Sequence, residues 1–334
     1  MRVMTTRRGL LGAAAMGLSL PMLARAQGAA WPRRSVKLVI PFPPGGTTDL
    51  IGRLLAEKLS SRLGQTVVVE NRSGAGGNIG AEAVAKAEPD GYTFLMASVG
   101  TAAINYAVYG TRMPFRPQDL APVGLVTRVA NVVLAANNSG ITDIAGLLSR
   151  ARAAPGNLNY GTAGIGSSTH ACMELFQSLT KTQLQHVPYR GSGPMLTEVV
   201  AGRVQLGCDN IPTALNFIRD GQMRALAVTS AERSTVLPDV PTLREAGVAG
   251  FDATSWFGVQ APARTPEAVV ARMGEAIDAI VREPEWNARM RDFAADPPRL
   301  TAEGGTTPAA FAAFIATEIA RWAEVAQSSH MTVE

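Results

Sequence analysis

The sequence predicts an α/β protein built on parallel strands with helices on both faces. Three observations carry that prediction. From Val36 onward, short apolar or β-branched runs alternate with stretches of helical periodicity, the pattern of a parallel sheet with crossover helices. Turns rich in glycine, serine and threonine, rather than long polar loops, open several of the helical stretches. Hydrophobic residues make up 46% of the 334 and charged residues 17%, which supplies a sizeable core and excludes a disordered chain.

The elements follow in order. Strand 36–40 ends at Pro41, and the turn at 43–48 opens a helix. In that helix Ile51, Leu55, Leu59 and Leu63 recur at every fourth position with Leu50 and Leu54 beside them, which makes one buried stripe. Gly64 closes it, as a glycine C-terminal cap does. A strand at 66–70, a glycine-rich loop at 71–80, a short helix at 81–87 and a strand at 92–97 follow. The middle repeats the grammar. Strands at 124–136, 159–161, 185–187, 204–208 and 224–229 alternate with helices at 143–153, 169–179, 193–201 and 212–220. From Pro266 the chain reads as mainly helical. No low-complexity linker divides it.

Charge excludes one class of partner. Residues 1–26 carry Arg2, Arg7, Arg8 and Arg25 and no acid, so the 31 basic residues of the chain fall to 27 beyond them, against 27 acidic ones. A polyanion binder needs a clustered basic surface, so no nucleic-acid partner is expected. Two cysteines exclude a disulfide scaffold and a multi-cysteine zinc site. Thr6-Arg7-Arg8-Gly9-Leu10-Leu11 reads as a twin-arginine export signal, with an apolar run from Leu10 to Leu23 and small residues at Ala24 and Ala26 for cleavage. The run falls short of the ~20 residues a spanning helix needs. Cleavage near Ala26 would deliver the body of the chain to the periplasm of a Gram-negative cell.

Three loops share one construction: a strand, a small-residue turn, then a helix. The first contains Phe42, Gly45, Gly46, Thr47, Thr48 and Asp49. Its glycines leave backbone N–H groups uncovered beside the positive end of a helix, which suits an anion. Thr47 and Thr48 can cap that helix or touch a ligand. The second contains Gly164, Ile165, Gly166, Ser167 and Ser168, with His170 in the first helical turn, where a packed, hydrogen-bonded imidazole is the simpler reading. The third contains Tyr189, Arg190 and Gly191; Arg190 can face a ligand or pair with a surface carboxylate. Asp209 and Asn210 end the next strand, where ligands of open α/β sheets gather, although Asp209 also fits the cap of the following helix. Ser98 and Thr101 complete the expected ligand-binding set at the end of strand 92–97. Taken singly, each loop is explained by an ordinary helix N-terminus.

Six stretches in fixed order carry a resemblance. They are 41–49 (PFPPGGTTD), 69–80 (VENRSGAGGNIG), 89–92 (PDGY), 160–170 (YGTAGIGSSTH), 187–194 (VPYRGSGP) and 209–210 (DN). With them the chain resembles, almost end to end, the solute-binding receptors of tripartite tricarboxylate transporters, the Bordetella uptake gene (Bug) family. The resemblance implies a two-lobed periplasmic binding protein fold of type II. Each lobe would be a mixed sheet flanked by helices, with two crossover strands as hinge. Residues 35–126 plus 229–330 would form lobe 1, and 127–228 lobe 2. It further implies a small carboxylate gripped by the loop at 45–49 and by the loop at 164–168 from the opposite lobe. The partners would be the membrane subunits of such a transporter. No catalytic residue, cofactor or metal is expected, and the protein is expected to be a monomer. The family usually has an apolar residue where Cys208 stands and a small or apolar one at Cys172. An oxidising compartment permits a disulfide between them, and two buried thiols are the alternative.

Rival readings rest on less. The run at 74–80 follows a strand, but its glycines are spaced G-x-G-x-x-x-G, one residue too long for a dinucleotide fingerprint. A serine hydrolase using Ser168 or Ser192 with His170 or His186 lacks the G-x-S-x-G elbow. A receptor presenting its ligand to a membrane sensor shares every feature above.

Overall fold

The computed structural model describes residues 31–329 together with Met1 and Met331. The predicted export signal therefore lies, apart from Met1, outside the described residues.

Three parallel strands begin the sheet: β1 (Val36–Ile40) lies between β2 (Val67–Asn71) and β3 (Thr93–Ser98). Helices α1 (Thr47–Leu63) and α2 (Asn78–Ala85) make the crossovers. In α1 three of the four stripe residues, Ile51, Leu55 and Leu59, are buried, while Leu63 at the helix end and Leu50 and Leu54 on its flank are half-buried; Gly64 caps the helix at φ +70° with its N–H on Ser60 O. After the short helix α3 (Asn105–Tyr109) the chain enters β4 (Leu120–Ala136), whose 17 residues serve two sets of strands. Its first part pairs antiparallel with β9 (Thr254–Pro262), which in turn pairs antiparallel with β3. Its last part, Asn131–Ala136, lies between β7 (Leu206–Asn210) and β8 (Met223–Val228). Beyond β7 come β5 (Asn159–Thr162) and β6 (Gln185–Pro188), both parallel to their neighbours. Helices α4 (Ile144–Ala153), α5 (Ser168–Thr180), α6 (Ser192–Val200) and α7 (Ile211–Arg219) cover this second half. Helices α8 (Glu267–Val281), α9 (Pro284–Asp292) and α10 (Pro308–Ser329) follow, with the two-residue strand β10 (Ala295–Asp296) on β4.

Each half is thus a mixed sheet. The antiparallel members correct the all-parallel reading that strand–helix alternation gives: β4 and β9 run against their neighbours because no crossover helix joins them to those strands. Strand β9, in the middle of the sheet, is missing from the sequence reading altogether. It is buried throughout from Ser255 to Pro262, so it shows no apolar–polar alternation to mark it. The two chain crossings between the halves are tied together. Asn131 N donates to Thr229 Oγ1, and Thr229 N donates to Asn131 O, at 2.9 and 3.0 Å.

Helix α10 packs on β9 through a buried carboxylate. Glu318 accepts the indole N–H of Trp256 at 2.8 Å and that of Trp322 at 3.3 Å, so its charge is hydrogen-bonded where it is buried. Cys172 on α5 and Cys208 on β7 are both fully buried free thiols, and burial together with the neighbouring Cys172 pushes the Cys208 thiol up.

Candidate functional site

The parallel strands of both halves deliver their carboxyl ends to one cleft, and the loops that follow them start helices. Four of these helices, α1, α5, α6 and α7, bring their first residues to a single cavity of about 530 Å3 including its open mouth. Gly46, Thr47 and Thr48 come from α1, Ser167, Ser168 and Thr169 from α5, Ser192 and Gly193 from α6, and Asn210 from α7. Phe42, Ser98, Ser255 and Phe257 add to its wall. No lining residue is charged.

The helix starts are built to leave donors free. Gly46, Gly191 and Asn210 occupy the N-cap positions of α1, α6 and α7, and none makes a side-chain cap bond. The first N–H groups of those helices have no partner within the helix. Each also carries the positive end of the helix dipole. Only α5 is capped: Ser167 Oγ accepts from His170 N at 3.3 Å. An anion in this cavity would meet backbone N–H groups and hydroxyls from both halves. Each charge-assisted hydrogen bond contributes roughly 1.5–3 kcal/mol.

Carboxylates hold the loops from behind. Gly45 takes φ +84°, a conformation that suits glycine, and its N–H donates to Asp49 Oδ2 at 2.9 Å. Asp49 also accepts from Arg53 Nε at 3.0 Å and Asn71 Nδ2 at 2.8 Å. Burial raises its pKa, but the bonds from Arg53, Gly45 and Asn71 outweigh it and hold the carboxyl below its ordinary value. On the other half, fully buried Asp209 accepts from Ser192 Oγ at 2.6 Å and Thr213 Oγ1 at 2.7 Å, tying α6 to α7. Burial pushes its carboxyl up to about 6. Thr213 Oγ1 reaches Thr47 Oγ1 at 3.2 Å, which joins the two halves directly.

His170 is likewise engaged behind the wall. Its Nδ1 accepts from Gly166 N at 3.3 Å, and its ring stacks on His186 at 4.3 Å. Burial, then the neighbouring His186, brings its pKa down to about 3; burial brings His186 to about 4.

A second, outer chamber of about 1080 Å3 including the open solvent at its mouth shares Phe42, Pro43, Ala163 and Gly191 with the first. Gly164, Ile165, Tyr189 and Arg190 line it from the second half, and Tyr109 with the loop at 73–77 from the first. The loops approach closely here. A Cβ on Gly76 would lie 2.2 Å from Ile165 O, and one on Gly100 2.8 Å from Gly166 O.

Twelve of the eighteen predicted residues therefore line one chamber or both. Gly45, Asp49, Thr101, Gly166, His170 and Asp209 stand behind the wall. Thr101 is buried with its Oγ1 bound to Ser98 O and to Ser98 N. Sequence reasoning missed Thr169, Ser192, Gly193, Ser255 and Phe257 as wall residues. For Ser192 and Gly193 the signal was present in the third loop; for Ser255 and Phe257 it was hidden with β9.

Two mixed half-sheets that share a long strand and turn uncapped helix N-termini toward a common cleft define the ligand-capturing class of periplasmic binding folds. Residues 51–331 match the model of the tripartite tricarboxylate transporter family receptor, and the chain belongs to that family. It is 40% identical to Rpa4515 of R. palustris, solved with adipate, with a TM-score of 0.86 over 91% of this chain and 100% of that one. MatC of Rhodopseudomonas palustris, solved with bound malate, is 36% identical with a TM-score of 0.83, over 88% and 99%. The periplasmic binding protein BugD is 32% identical with a TM-score of 0.84, over 91% and 100%.

Proposed function

We propose that this chain is a periplasmic receptor that captures a small carboxylate in the inner cavity and delivers it to the membrane subunits of a tripartite tricarboxylate transporter. One observation carries the reading: four helix N-termini from two halves face a cavity with no charged residue in its wall. A carboxylate leaving water needs its hydrogen bonds replaced, and backbone N–H groups replace them without a counter-ion. Micromolar affinity is about 8 kcal/mol, which a handful of charge-assisted bonds reaches after ordering costs. The adipate and malate of the two relatives support this ligand class.

Residues 35–126 plus 229–330 form one lobe in this reading and 127–228 the other. The hinge is the pair of crossings joined at Asn131 and Thr229. The lobes close on the ligand as a monomer, and binding rather than catalysis is the task. The predicted export signal and the likeness to BugD support a periplasmic location. Among the described residues no helix is long and apolar enough to cross a membrane.

Calorimetry with a panel of carboxylic acids tests the reading. Gly46 has φ −77°, which proline adopts, so Gly46→Pro removes one wall N–H without redirecting the chain. Gly46→Pro and Ser168→Ala are each expected to weaken binding of the best acid about tenfold, the worth of one charge-assisted bond, with the fold intact. Unchanged affinity in both variants contradicts the site.

A further inference from the structure

We infer that Ser255 is a specificity-determining residue, whose hydroxyl selects carboxylates bearing a second polar group, a hydroxyl or a further carboxyl, over alkyl monocarboxylates. The inference rests on the carboxylate reading above.

Alternation along β9 sets the geometry. Trp256 turns to one face, where its ring meets Phe311 and Phe314 and its indole N–H meets Glu318. Ser255 and Phe257 therefore turn to the other face, and both line the inner cavity. Ser255 is 0% exposed, yet no protein group partners its Oγ. Three other hydroxyls of the wall differ. Ser192 Oγ donates to Asp209, Ser167 Oγ bonds Gly164 O and Thr169, and Thr47 Oγ1 bonds Thr213. Ser255 is a hydroxyl carried by the sheet rather than by a helix start, with both its donor and its acceptor capacity unused by the protein.

A buried hydroxyl without a partner is destabilising, so a ligand that reaches it with a polar group relieves that penalty, and one that covers it with methylene leaves it in place. Sites of this kind reject the analogue that lacks the polar group more strongly than apolar pockets reject an added methyl. A carboxylate held at the helix N-termini would then place its second polar group on Ser255, with Phe257 and Phe42 against its carbon chain.

Calorimetry on the purified chain with succinate, malate and adipate, and with butyrate as the monocarboxylate, tests this. Ser255→Ala is expected to lower affinity for the best of the three diacids about tenfold or more and to change that for butyrate less than about twofold. Ser255→Thr, which keeps the hydroxyl, should recover most of the loss. The melting temperature of ligand-free Ser255→Ala should equal or exceed that of the wild type, because an unpartnered buried hydroxyl has been removed; a structural serine would give a fall. Equal binding of the diacids by wild type and Ser255→Ala overturns the inference and leaves the carboxylate reading standing. Equal loss for diacid and butyrate assigns Ser255 to packing and also overturns it. If none of the four acids binds the wild type, this inference is overturned, while the carboxylate reading stands or falls on the wider panel of acids.

Discussion

Asp209 shows how a single residue can shape the cavity without lining it. Its two oxygens take the hydroxyls of Ser192 and Thr213, and Thr213 in turn reaches Thr47 across the cleft. Thr213→Val removes the cross-cleft bond and one donor to a buried carboxylate. Ligand affinity in this variant is expected to fall about two- to tenfold, the worth of one hydrogen bond, as titration calorimetry would show. Titration of the stacked histidines gives a second expectation at this scale. His170 and His186 have folded pKa values of about 3 and about 4, below their ordinary 6.5, so the unfolded chain takes up their protons first. Their contribution to stability is present above pH 6.5 and is lost as pH falls toward 4. Asp209, raised to about 6 from an ordinary 3.8, works in the opposite direction from about pH 6 downward, a narrower window than that of either imidazole. Glu174, near both His170 and Tyr160, is itself raised by burial and adds to the opposition. The melting temperature should fall between pH 6.5 and pH 4, and less steeply in His186→Phe. A flat profile in the wild type would refute the pairing of burial with neutral imidazole.

At the scale of elements, the helix starts were legible in the sequence because glycine and hydroxyl residues before an apolar stripe have a local cause. α1 lies where its four-residue repeat and Gly64 place it, and the hydroxyl-rich end of the second loop supplies Ser167 as the cap of α5. What the sequence did not reveal depends on contacts distant along the chain. Ser192 and Thr213 fix the direction of the Asp209 carboxylate, and Arg53 and Asn71 fix that of Asp49. β9 escaped because both its faces are covered and a glycine interrupts it. A Cβ on Gly258 would lie 2.4 Å from the Phe311 ring, so the residue that weakens the strand signal is the one that lets α10 pack. The rim loops make the next prediction. Gly100 opens a π-helical turn without a left-handed backbone, so Gly100→Ala asks only a small adjustment of the Ser98 hydroxyl at 3.3 Å locally, but its new methyl meets Gly166 O at 2.8 Å when the loops are together. This variant should melt within about 2 °C of the wild type, since alanine suits a helix at least as well as glycine, and bind its ligand at least about tenfold more weakly. Equal affinity would show that the loops need not meet.

For the whole molecule, β4 and the crossing at Thr229 are the two covalent links between halves that otherwise meet at loops. A ligand gripped from both sides favours the closed arrangement by its extra contacts there, so it shifts the population toward closure. Small-angle scattering should record a smaller radius of gyration with saturating ligand than without; superimposable curves would contradict hinge closure. The measurement that bears most directly on main-chain coordination is a backbone amide NMR titration with the best-binding carboxylate. The amides of Gly46, Thr47 and Thr48 in one half, and of Ser168, Ser192 and Gly193 in the other, are expected to show the largest shifts, saturating together at one ligand per chain. Shifts confined to one half, or concentrated on residues remote from these helix starts, would contradict the account.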